Sequence, residues 1–190
     1  MTGPSATGPA ANRPDIPPSL AARPHDARRG LPIPPVNIHP DSTGGGSYVD
    51  FTTINTTTST RLAVERRCSL CGEPMGYWAA FLGGPGAAEL MRYADPPGHL
   101  ECMTAALSLC PHIALGQHRR ARADRPGAGI MPPGSHGEKP NRYLLGITRT
   151  YRTRFIPEHG YTVYLPAPFK TVRAYLYGPD GRLRPATDTR

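Results

Sequence analysis

Read for where apolar and polar positions recur, the chain divides into a few distinct stretches. Residues 1–29 mix Pro, Ala, Gly and Arg with no apolar periodicity. Such a segment cannot bury enough surface to offset its ordering entropy, so a disordered tail is expected there. GLPIPPVNIHP (Gly30–Pro40) is more apolar, but each proline removes a ladder donor, which suits an extended edge segment. After the turn residues Asp41–Ser47, YVDFTTI (Tyr48–Ile54) is strand-like, and residues 30–61 read as an extended segment or loose hairpin. Asn55–Arg67 opens on a Thr/Ser run and continues as RLAVERR, which predicts a Thr cap and a short helix ending at the basic pair Arg66–Arg67.

From Cys68 the punctuation changes. CSLCGEP is a tight turn, GYWAAFL (Gly76–Leu82) is apolar and aromatic, and GGPG (Gly83–Gly86) is a strong turn signal. ELMRYA (Glu89–Ala94) is expected to return as the second strand of a hairpin with Tyr77, Trp78 and Phe81 in its core. LECMTAALSLC (Leu100–Cys110) places Leu100, Met103, Leu107 and Cys110 at helical spacing. Residues 62–115 thus read as one unit, and residues 116–140 as a low-complexity linker. Residues 141–181 hold aromatic and β-branched runs separated by turns, the pattern of an antiparallel β-meander, and 182–190 form a tail. The fold class is α+β.

Composition narrows this further. Apolar residues are 38% of the chain, with 21 glycines and 24 prolines among 190 residues, which argues against one large core. No stretch approaches the 18 or so apolar residues of a membrane-spanning helix. No basic-then-apolar leader opens the chain, so a cytoplasmic location, with no membrane partner and with reduced cysteines, is expected.

Those cysteines carry the sharpest signal. Cys68 and Cys71, then His99 and Cys102, form C-x2-C-x27-H-x2-C. Each pair has the spacing of a zinc half-site. Two thiolates three residues apart can both face inward across a tight turn, and Gly72 directly after Cys71 allows a positive φ there. His99 and Cys102 straddle the first turn of the predicted helix, so both can face one ion. Turn, hairpin, helix is the outline of a treble-clef-like zinc unit. Cys110 lies eight residues beyond Cys102, about 12 Å along a helix axis. Two sulfurs on one zinc are only about 4 Å apart, so Cys110 reads as a buried small apolar residue. A set with Cys110 as the fourth ligand stays open as the alternative, and His112 is a weaker rival. A closed Cys3His site makes the zinc structural, supplying folding free energy on the order of 10 kcal/mol.

These stretches resemble a family of uncharacterised actinobacterial proteins found in genomes, prophages and plasmids. The matching pieces are GLPIP (Gly30–Pro34), VDFTTI (Val49–Ile54), Arg67–Pro85, Asp95–Ala114, GITRTYR (Gly146–Arg152) and Pro168–Gly181. The resemblance implies an architecture and no activity. Some members carry the label "cell envelope biogenesis protein OmpA", yet no export signal, barrel pattern or peptidoglycan-binding chemistry accompanies it here.

Enzyme classes find little support. A treble-clef nuclease needs a catalytic His on the hairpin, and Met75–Ala94 contains none. No G-x-S-x-G elbow and no P-loop is present. We expect a non-enzymatic module with a protein partner of unknown identity. The alternative is DNA or RNA binding. The formal charge is +8, and residues 141–190 hold nine basic against three acidic side chains. HRRARADR (His118–Arg125) and RTYRTRF (Arg149–Phe155) offer Arg119, Arg120, Arg122, Arg149, Arg152 and Arg154 as phosphate contacts. Period-two alternation puts Arg142, Arg152 and Arg154 on one face and leaves Arg149 off it. GC-rich codon usage would also raise Arg, Ala, Gly and Pro together.

Overall fold

A computed structural model describes residues 15–42, 44–116 and 139–186 of the chain. The fold is α+β, with antiparallel sheets throughout. In chain order the elements are α1 (Pro18–Ala21), β1 (Ile38–Pro40), β2 (Ser47–Val49), α2 (Thr56–Val64), β3 (Ala79–Gly83), α3 (Pro85–Glu89), α4 (Leu100–Leu109) and α5 (Pro111–Ala114). They continue with β4 (Arg142–Thr148), β5 (Tyr151–Ile156), β6 (Tyr161–Pro166), β7 (Thr171–Tyr177) and β8 (Leu183–Pro185). No helix among the described residues is long and apolar enough to cross a membrane.

A short hairpin forms as β1 against β2, with His39 opposite Tyr48, but of the strand-like run Tyr48–Ile54 only Tyr48 and Val49 join it. The predicted short helix forms as α2, but its cap is Asn55 and not a threonine. The Asn55 carboxamide accepts from the Thr58 amide and donates to the Ile38 carbonyl, so it caps the helix and ties it to β1 at once. Arg66 closes α2 in the left-handed region (φ 53°). Its amide bonds the Ala63 carbonyl while the Arg67 amide bonds Leu62, a Schellman arrangement with arginine where glycine is usual.

The tail does not extend to residue 29, because Pro18 sits at the first turn of α1 and Leu20 is buried in the core at 3% exposure. ELMRYA does not return as a strand. Pro85 starts α3 there, and what remains of the hairpin is one exchange of bonds between Ala80 and Gly98. The strand that pairs along β3 is β4, with Ala79 opposite Thr148 and Gly83 opposite Leu144.

The C-terminal meander divides between two sheets. One has the order β3-β4-β7-β8, and β5-β6 leave it as a two-stranded ribbon. The run Arg142–Arg152 breaks at Arg149–Thr150, so Arg142 does not share a face with Arg152 and Arg154. Alternation along β3 then organises the interior. Ala79 and Phe81 face one cluster with Cys68, Met75, Tyr93, Cys102 and Tyr164. Ala80 and Leu82 face a second with Met103, Leu107, Leu145 and Tyr175. Burial on both faces explains why AAFL is an unbroken apolar run. Helix α4 serves both clusters, giving Cys102 and Ala105 to the first and Met103 and Leu107 to the second. Of the predicted hairpin core only Phe81 is buried. Tyr77 and Trp78 lie beyond the end of β3 and are 59% and 39% exposed.

Candidate metal centre

The knuckle is built by backbone bonds. The Cys68 amide donates to the Glu73 carbonyl and the Gly72 amide to Cys68, with Gly72 at φ +83°, as the sequence requires. A bridge between Arg67 and Pro74 closes the turn, and the Arg67 side chain bonds the Gly72 carbonyl. Opposite it, His99 occupies the N-cap position of α4 and Cys102 its first turn. Helix start and knuckle are clamped by the Ser69 amide on the Pro97 carbonyl.

The ligand atoms of Cys68, Cys71, His99 and Cys102 all lie within 4.8 Å of one another. A tetrahedral ion with metal–sulfur bonds of about 2.3 Å needs sulfurs about 4 Å apart, so the four can hold one metal ion. The three cysteines are 0–2% exposed and none is in a disulfide. His99 Nδ1 is 3.3 Å from Cys71 Sγ, and Nε2 is 3.0 Å from the Pro74 carbonyl. Donation from Nε2–H to that carbonyl leaves Nδ1 as the ligand atom and fixes the ring. The His99 amide points at Cys68 Sγ from 3.3 Å. Gly98 completes the cradle, since a Cβ there would come 2.9 Å from that sulfur.

Electrostatics inside the cluster are those of shared protons. Hydrogen bonds from Cys102 and Cys71 hold the Cys68 thiol well below its ordinary value. The Cys102 thiol is pushed up by the same bond to Cys68. The hydrogen bond to Cys68 raises His99 to about 10. Such a group readily exchanges protons for a cation.

Ser19 is the residue that sequence reasoning missed. Its hydroxyl lies 3.9 Å from Cys102 Sγ, brought there by α1 from 83 residues away. Nothing in a Pro-rich segment marks it. Cys110 caps the far end of α4 and is not among the four, and burial pushes its thiol up. Arg119, Arg120 and Arg122 lie outside the described residues. Arg152 and Arg154 are exposed on one face of β5, opposite Leu165 and Val163. Arg149 stands apart at the β4–β5 corner, its guanidinium 4.9 Å from the Tyr77 ring and 5.7 Å from that of Trp78.

Comparison with protein-family models, with curated proteins and with solved structures gives no match.

Proposed function

We propose that this chain is a non-enzymatic binding module of the cytoplasm, organised by one structural zinc ion and acting on a protein partner. The observation that carries this reading is the buried set of three thiols and one imidazole. Soft thiolates with an imidazole in tetrahedral array suit zinc. Four protein ligands leave no open position, so such an ion neither activates water nor polarises a substrate. What it supplies is the fold, because it joins a knuckle and a helix start that share a small apolar cluster. Elemental analysis tests this directly: about one zinc per chain is expected, and chelation should unfold residues of both clusters cooperatively. A natively folded chain that retains no zinc after metal-replete expression would overturn it.

A specific observation also favours nucleic acid as the partner. Tyr77 and Trp78 are exposed beside the knuckle and carry the Arg149 cation on their rings. Exposed aromatics interleaved with cations suit single strands, whose bases stack on rings while phosphates meet arginine and lysine.

A further inference from the structure

Next to Trp78 the surface dips into a shallow concavity of about 300 Å³, lined by Trp78, Arg149, Thr150, Pro168 and Lys170 among others. Among the described residues no carboxylate lines it, while two cations and one large aromatic do. Its parts are held by the fold. Strand register puts Ala79 opposite Thr148, which brings Trp78 level with Arg149 at the end of the ladder. Tyr77 and Trp78 meet edge to face at 5.0 Å. The Arg66 guanidinium braces the two sides by bonding the Gly76 carbonyl at 3.3 Å and the Arg149 carbonyl at 3.2 Å. On the far wall the Lys170 amide bonds the Ile147 carbonyl at 2.7 Å, and the Ala167 amide bonds Thr150. Phe169 between them seats on Gly146 so closely that a Cβ there would lie 2.6 Å from the ring.

We propose that this concavity binds one nucleotide unit of a single-stranded nucleic acid, with the base against the Trp78 ring and the neighbouring phosphate on Lys170 and the Arg149 edge. The proposal rests on the nucleic-acid reading above. Three features select that ligand over an acidic peptide. The indole is 39% exposed and offers stacking area. A guanidinium held against rings keeps N–H donors at its edge for a phosphate. A space of about 300 Å³ takes one nucleotide and not a folded surface. The prealigned wall reduces the ordering cost of binding. It also gives zinc a role in recognition, because Tyr77 and Trp78 directly follow the knuckle and Met75 is bonded to Arg66.

Trp78 is the sole tryptophan, so its fluorescence reports this site and no other. The zinc-loaded full chain is titrated at low salt with oligo(dT), oligo(U) and poly-glutamate, and binding of labelled oligonucleotides is followed in parallel by anisotropy. Saturable quenching by either oligonucleotide, relieved by salt, is expected; comparison of the two distinguishes DNA from RNA. Trp78→Ala should weaken binding about ten-fold or more. Lys170→Gln, an exposed position that does not threaten folding, should weaken it about three-fold and lessen the salt dependence. Oligonucleotide binding without quenching, and unchanged in both variants, would overturn this site while leaving the nucleic-acid reading intact. No oligonucleotide binding at all would overturn both. Quenching by poly-glutamate equal to that by oligo(dT) would overturn it in favour of an acidic peptide.

Discussion

The His99 imidazole shows how one side chain would couple a bound metal ion to pH. In the metal-free folded chain its value rises from 6.5 to about 10, first through the hydrogen bond to Cys68. A raised value means that the interaction favours folding fully below pH 6.5 and is lost as pH climbs through about 10. Zinc must displace that proton, so its apparent affinity should increase with pH across the same window. Competition with a chromogenic chelator between pH 6 and 9 checks this. Zinc affinity should rise steadily with pH over that range, as protons leave the ligands more easily. An affinity independent of pH there would show that binding displaces no proton. The same residue shows what a sequence can carry. The spacing H-x2-C places His99 at a helix start, because helical geometry is local. The Pro74 carbonyl that orients its ring lies 25 residues away, and no pattern announces it.

Elements were legible where the signal was local and illegible where the partner was distant. Helix α4 follows from apolar spacing within ten residues, and β1–β2 from a turn between strand-like runs. By contrast, ELMRYA has strand-like residues but its Tyr93 exchanges bonds with Tyr164, 71 positions on, while proline and alanine drive Pro85–Glu89 into a helix. Strand β3 likewise found its partner in the distant β4. The cap of α2 is a testable case of one residue serving two elements. Asn55 accepts from Thr58 and donates to Ile38, and its amide bonds the Val36 carbonyl. Asn55→Ala should cost about 1–2 kcal/mol, with Asn55→Asp recovering only the capping part because a carboxylate cannot donate to Ile38. Urea unfolding of the three proteins would measure it. Equal stability of the Asp and Asn forms would show that the link to β1 is idle.

At the scale of the molecule, the candidate metal centre and the C-terminal sheet are one structure, because β3 is buried on both faces and belongs to each. The N-terminal segment joins the same unit. Leu20 packs into the cluster that contains Cys68, Cys71 and Cys102, and the neighbouring Ser19 hydroxyl approaches Cys102 Sγ. Helix α1 is therefore expected to act as a cover over the ligands, although its four residues could not be stable alone. Leu20→Ala should cost about 2–4 kcal/mol through the cavity it leaves. It should also speed zinc loss to a chelator, because opening the cover exposes the sulfurs without unfolding the sheet. Ser19→Ala removes only one long contact and should change stability by less than about 0.5 kcal/mol. Zinc release followed with a chromogenic chelator, alongside thermal denaturation, separates the two effects. If Leu20→Ala lowers stability but leaves the release rate at the wild-type value, α1 is packing for the core and no cover for the metal.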